Sequence, residues 1–458
     1  MSTPLVRLGL KQRTLFRTGL WLLMMALAVA VLCAGLTVWW TRPVVVAASQ
    51  NQGDATRGAY LARAGNCMAC HTARGGEAYA GGRGIETPFG MVVAGNLTPD
   101  VTTGLGAWSR EDFWRALHHG QSRNGRLLYP AFPYTNTTLV SREDSDDLFA
   151  FLQSLPPVKA AATPHQVMWP FNTTLALGVW RSLYFTPGSF ERDARQSAEW
   201  NRGAYLVKGL GHCSACHTAR NALGATRDAL DLEGGLIPLQ NWYAPSLTHP
   251  AQAGVTHWST QEVMRLLKDG VTDVGPHRAW VSGPMGEVVQ GSTQYLSDDD
   301  LRAMAVFLQS LSHASGSSGA GSSATQGNNT GVSSAMLQTH QFDLSSGKMT
   351  QGQALYEKHC AQCHGEQGEG QVGRYPTLAG NRAVNMPTTA NLVQMLLYGG
   401  YSPATRGNPR PYGMPPYILV LKDSEIAATL TYVRNSWGNE APEVSEVEVN
   451  RHRNTQGQ

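Results

Sequence analysis

The sequence predicts a mainly α-helical protein, with three tandem domains behind one N-terminal membrane-crossing helix. Three observations carry this. Cys-x-x-Cys-His occurs at Cys67–His71, Cys213–His217 and Cys360–His364, with first cysteines 146 and 147 residues apart. Each of the three stretches closes on an amphipathic helix pattern. An uncharged, mostly apolar run of 22 residues, Gly19 to Trp40, precedes them all.

The apolar run comes first. At 1.5 Å per residue it is long enough to cross the hydrocarbon core of a bilayer. Arg7, Lys11, Arg13 and Arg17 precede it, and Trp39, Trp40 and Arg42 form an interfacial end. The excess of basic residues on the N-terminal side places residues 1–45 as a cytoplasmic end plus anchor, with everything beyond on the outer side. Val46-Ala47-Ala48 offers a competing reading, a cleaved signal peptide, but the run is longer than a signal core. Cys33 is read as an inert membrane-facing thiol. The net charge is +3, and the residues after the basic start sum to about −1, which excludes a basic field for nucleic acid.

The three motifs are attachment sites for c-type haem. Six of seven cysteines are used this way. Disulfides would not need a histidine after each second cysteine, and zinc would lack a fourth ligand. The chain is therefore expected to hold three haem c, on Cys67 and Cys70, Cys213 and Cys216, and Cys360 and Cys363. His71, His217 and His364 are the proximal iron ligands. The expected architecture is three class I-like cytochrome c domains at 50–160, 199–312 and 346–440.

The first two domains repeat visibly: Arg57-Gly58-Ala59-Tyr60-Leu61 leads into Cys67, and Arg202-Gly203-Ala204-Tyr205-Leu206 into Cys213. The third has Gly352-Gln353-Ala354-Leu355-Tyr356. Each reads as a short helix delivering the cysteines at its C-terminal end. The closing helices run through Leu148, Phe151, Leu152 and Leu155; through Leu301, Met304, Ala305 and Leu308; and through Ile426, Leu430 and Val433. Ser141 with Asp144 and Ser297 with Asp300 have capping-box spacing ahead of the first two. Between the domains, 161–198 is an apolar connecting segment. Internal docking is expected for it, with domain 2, a partner or the bilayer surface as the places considered. Residues 313–345 form a Gly/Ser-rich linker expected to free the third domain, and 441–458 a polar tail expected to be mobile or to lie on the surface.

The sixth ligand sets each haem's task, because His/Met iron is closed to substrate and carries electrons. Met285 in Gly-Pro-Met-Gly and Met414 in Gly-Met-Pro-Pro, both expected in loops, are the candidates for haems 2 and 3. The corresponding loop of domain 1, Leu128 to Tyr134, has Phe132 instead. Haem 1 is left with His119, His118 or Met91, or with an open position; His119 is favoured by its distance from Cys67. Pro245 and Pro376 are expected to supply the carbonyls that orient His217 and His364.

With these motifs, Tyr129–Tyr134, Ser292–Leu296 and Thr431–Asn439, the chain resembles the membrane-anchored tri-haem cytochrome c subunit of bacterial alcohol, aldehyde and gluconate-type dehydrogenase complexes. The resemblance implies a separate catalytic dehydrogenase subunit with a quinone, flavin or molybdenum cofactor. It also implies delivery of electrons to ubiquinone or a downstream carrier, at the periplasmic face of the bacterial inner membrane. It implies no catalytic residue on this chain. That family has Met where Phe132 stands, and the Phe form resembles a branch associated with molybdenum-dependent aldehyde or N-heterocycle oxidoreductases. Two alternatives are a haem subunit of a terminal oxidase and a haem enzyme whose first iron is open.

Overall fold

A computed structural model describes residues 5–226, 231–272, 277–311 and 346–454. The Gly/Ser-rich linker at 313–345 lies outside the described residues. The chain forms two compact units, residues 1–58 with 73–189, and residues 59–72 with 190–458.

In the first unit the N-terminal helix Leu5–Thr41 contains the apolar stretch Leu20–Thr41, with mean hydropathy 2.4 and none of it buried. It is long and apolar enough to cross a membrane. Its C-terminal end is held by one side chain. Buried Gln121 donates from Nε2 to the carbonyls of Trp40 (3.2 Å), Arg42 (2.8 Å) and Gly125 (3.2 Å), and its Oε1 accepts from Val44 N–H (3.0 Å). Helices Arg110–His119 and Arg142–Ser154 pack beside this clamp. A small antiparallel sheet joins Gly84–Thr87, Gly90–Val93 and Gln166–Val167 in that order.

The apolar connecting segment docks internally: residues 161–189 pack on the first domain, and beyond them Phe190 and Asp193 meet Tyr205 and Asn201 of the second. It supplies the third strand of that sheet and the helix Thr174–Tyr184. The reason lies in Arg181, whose guanidinium donates to the carbonyls of His119 (2.6 Å) and Gly120 (3.3 Å). Tyr134, fully buried, receives Trp180 and Phe185 edge-on.

The closing helices start as the sequence predicts, with Ser141 Oγ accepting from Asp144 N–H (3.1 Å) and Ser297 Oγ from Asp300 N–H (3.2 Å). The reciprocal half of the box is missing because an arginine of the leading helix takes the acid. Arg57 pairs with Asp144 and Asp147; Arg202 grips Asp300 at 2.8 Å through both Nε and Nη2. In the third domain Gln351 stands in the arginine's place, and Glu425 caps freely, accepting from Lys422 N–H (2.8 Å). All three crossings close on a glycine. A Cβ on Gly58, Gly203 or Gly352 would lie 1.9, 1.9 or 2.2 Å from the carbonyl oxygen of Asp147, Ala303 or Ala428.

One expectation about the second unit is corrected, and of the two places expected for the tail the surface is the one it takes. The third domain is not free to swing, because it is bonded to the second. Asn391 exchanges two hydrogen bonds with the Tyr243 backbone (both 2.8 Å), and Arg382 donates to the carbonyls of Pro250 (3.0 Å) and Gly254 (2.9 Å) over the face of Trp258. Nor is the tail a loose end. Helix Glu446–Asn454 packs on the closing helix Asp423–Arg434, with Val444 and Val449 fully buried. Arg453 donates to the carbonyl of Leu421 (2.9 Å). The Thr431–Asn439 phrase holds this part together. Arg434, fully buried, donates to Val384 O (2.8 Å), Met386 O (3.0 Å) and Pro442 O (3.0 Å).

Candidate haem sites

All three motifs lie in the second unit, and the second and third show how each site is built. Helices Ala198–Tyr205 and Ser346–His359 bring up Cys213 and Cys360 at their C-terminal ends. The cysteines form no disulfide, and among the described residues no group of His, Cys, Asp and Glu could hold a metal ion. Burial pushes the first thiol of each motif up, Cys67 and Cys213 to about 12 and Cys360 to about 11. Such thiols stay neutral.

His217 Nδ1 lies 2.7 Å from Pro245 O, and His364 Nδ1 lies 3.0 Å from Pro376 O. Both prolines are those expected from the sequence. A ring that donates from Nδ1 to a carbonyl keeps the Nε2 lone pair free. Burial lowers the pKa of both rings, which favours the neutral form that ligates.

Cys213, Cys216, His217 and Met285 line the same cavity as Cys360, Cys363, His364 and Met414. Its volume is about 770 Å³, and its walls are mostly apolar: Val263, Leu266, Leu267, Trp242, Leu392 and Leu396 among them. Met414 lies in the short strand Gly413–Met414. Met285 corrects the expected loop: it sits in the first turn of helix Gly283–Gly291, with Pro284 in that turn supplying a pre-set φ. The donor set and the apolar walls fit haem. No sequence signal announced that two motifs share one space.

The first motif lies against the second domain. Ser292 Oγ donates to Ala64 O (3.1 Å), Tyr60 OH to Asp300 Oδ2 (2.6 Å), and Arg63 covers Tyr295 at 4.6 Å. Cys70 and Cys216 are close enough to interact: burial raises the Cys216 thiol, Arg220 lowers it, and Cys70 adds a smaller upward push.

The remaining candidates belong to the first unit. In all three domains a helix ends on a left-handed glycine, Gly120, Gly270 or Gly399, followed by a short antiparallel pairing. Gln121 pairs with Leu127 and Val271 with Trp280; Phe132 and Met285 each follow five residues later, so Phe132 holds the methionine's register. On this helix the apolar cavity positions fall seven, four and three residues before the glycine: Val263, Leu266 and Leu267, or Leu392, Met395 and Leu396. Phe113, Ala116 and Leu117 are their counterparts. His118 and His119 lie outside this apolar stripe, but Asp269, the counterpart of His119 one residue before its glycine, also lines the cavity. His118 is buried and stacks on Trp114 (4.4 Å). His119 is held neutral, its pKa lowered to about 4 by burial and then by His118, Arg181 and Arg115. Met91, two residues before Val93, is in register with Trp242, two before Ala244; Val93 and Ala244 pair with Gly84 and Gly235. Trp242 is a cavity wall.

Three exported-type attachment motifs, each behind a glycine-crossed helix pair, define a multi-haem c-type protein. The chain belongs to the cytochrome c family, which it matches over residues 55–156, 201–312 and 349–437, and it carries three covalently bound haem c. It is 38% identical over 411 residues to the cytochrome c subunit of the quinone alcohol dehydrogenase of Gluconacetobacter polyoxogenes, covering 87% of this chain and 84% of the relative. The gluconate 2-dehydrogenase cytochrome c subunit of Pantoea cypripedii is 36% identical over 405 residues, 85% and 87% of the two chains. The fructose dehydrogenase cytochrome subunit of Gluconobacter japonicus is 34% identical over 429 residues, 92% of this chain and 87% of the relative.

Proposed function

We propose that this chain is the electron-transfer subunit of a membrane-bound dehydrogenase complex, passing electrons from a catalytic partner to ubiquinone or a respiratory carrier. The single space shared by the second and third motifs carries the reading, since it brings two attachment sites together without a wall. The interacting Cys70 and Cys216 extend the series to the first motif. The relatives' names support a dehydrogenase partner. The apolar helix with basic residues before it supports an inner-membrane anchor with the three domains in the periplasm.

Bound haem c supplies one-electron chemistry. Each cysteine pair, Cys67 with Cys70, Cys213 with Cys216 and Cys360 with Cys363, would fix the group covalently. His71, His217 and His364 would ligate the iron, the latter two oriented by the Pro245 and Pro376 carbonyls. Met285 and Met414 would complete the second and third sites, excluding substrate and water. For the first site the register of the repeats keeps both Met91 and His119 as candidates, since their counterparts Trp242 and Asp269 both line the cavity. Replacing Met91, His118 and His119 by Ala in turn and recording the reduced spectrum identifies the ligand, and no change in any variant favours an open iron.

The complex is tested by purifying the full chain from membranes, identifying the co-purified large subunit, and mixing the reduced protein with a soluble ubiquinone analogue. Reoxidation by the quinone together with a dehydrogenase subunit supports the proposal. A copper-containing membrane core in place of the dehydrogenase would replace it with the oxidase reading. Phe132 in Met285's register supports a second reading, an open first iron. Rapid carbon monoxide binding at one haem of the reduced wild-type protein would favour it.

A further inference from the structure

From Met168 to Gly188 the chain carries one charge, Arg181, and that charge is turned inward onto the carbonyls of His119 and Gly120. What faces outward is apolar. Met168, Trp169, Val179 and Leu183 are 55%, 79%, 46% and 65% exposed. Val179 and Leu183 are four residues apart and share one helix face. Helix Thr174–Tyr184 is seated on the end of the anchor. Gly178 lies so close to the Trp40 indole that a Cβ there would come within 2.1 Å of it. Trp39 beside it is also exposed. The Gln121 clamp fixes the chain as it leaves the anchor, so the first domain has no slack with which to move away.

We propose that this outer face lies in the headgroup region of the bilayer crossed by Leu20–Thr41, so that the first domain rests on the membrane instead of hanging from it. The proposal rests on the membrane-crossing reading of that helix. The occupant is lipid because the face is continuous with the anchor's own apolar surface. Tryptophan at such a level is favoured at membrane interfaces. With no cation on the face, the contact draws on apolar burial and is indifferent to anionic lipid.

The test uses the full-length holoprotein in phosphatidylcholine nanodiscs. Nitroxides are placed singly at Met168→Cys, Val179→Cys and Leu183→Cys in a Cys33→Ser background. Native Cys33 is labelled separately, and Val101→Cys, 71% exposed in the wild type, serves as the aqueous control. Collision rates with oxygen and with a water-soluble nickel chelate are compared. Oxygen should dominate at 168, 179 and 183, nickel at 101, and added anionic lipid should change neither. Nickel dominance at the three positions overturns the proposal. So does protection from both reagents in the purified complex, which would mean a protein partner. A water-exposed label at Cys33 would instead overturn the membrane reading of the helix. If one variant loses its haem spectrum, the other two positions decide.

Discussion

Gly347 and Gly352 share one helix, Ser346–His359, and alanine should act on them with opposite sign. Alanine at Gly347 meets nothing within 4 Å, so helix propensity alone applies, a gain of about 0.5–1 kcal/mol. At Gly352 a Cβ falls 2.2 Å from Ala428 O and 2.7 Å from Tyr432 Cβ, on the closing helix. Relieving that means parting the two backbones by about 1 Å, and overpacking of this kind costs about 1–3 kcal/mol, occasionally more. Subtracting the propensity gain leaves a net loss of about 1 kcal/mol, roughly a 5-fold change in an opening equilibrium. The assay is hydrogen–deuterium exchange of the full holoprotein, followed in peptides from Ser346–His359 and Asp423–Arg434, which reports opening of individual elements. Gly352→Ala should speed exchange in both helices roughly 5-fold, and Gly347→Ala should leave it unchanged or slower. Equal behaviour of the two variants would refute the close crossing as the reason for glycine.

The other predictions concern the ligands, the tail and the clamp. Met285→Ala and Met414→Ala should each open one haem to carbon monoxide in the reduced protein, detected as one new binding phase apiece. Glu448 is partly buried, which pushes its pKa up, but hydrogen bonds from Ser445 and Thr389 outweigh this and hold it below the usual carboxylate range. A depressed folded pKa gives stability that is present above the unfolded value, near 4.5, and lost as pH falls through the folded one. Exchange in Glu446–Asn454 should therefore rise below about pH 4.5, and Glu448→Gln should show the faster rate already at neutral pH. Gln121→Leu removes three hydrogen bonds from residues 40–44 and one from Gly125, and should cost about 2–3 kcal/mol locally. The measurement is limited proteolysis of the full chain, with faster cleavage between residues 42 and 55.

What was legible in the sequence is what short segments decide alone. The haem motifs, the leading helices and the carbonyls of Pro245 and Pro376 lie within some thirty residues of the groups they serve, and each closing helix announces itself by its own apolar stripe and cap. What stayed hidden depends on partners far along the chain. The tail carries only Val444, Val447 and Val449 as apolar signal in a charged stretch, too little to announce a docked helix. Docking of the third domain rests on polar side chains such as Asn391 and Arg382, which have no periodicity. The connecting segment was recognised as apolar, but its destination was set by Arg181, which reads as solvated until the carbonyls of His119 and Gly120 are seen beside it. His119 shows the limit of counting residues, since the spacing from Cys67 favours it while its helix position is shared by Asp269, a cavity residue that is not an expected iron ligand.

The space shared by the second and third motifs bears on how the protein matures. Its lining comes from chain positions as far apart as Ala64 and Val433, so neither prosthetic group has a finished enclosure until both domains have met. A group held by Cys213 and Cys216 would therefore have part of its surroundings supplied by the later domain, Asn391 and Arg382 among them. A defect in that domain would reach backwards and change the surroundings of the earlier site although none of its own residues had changed.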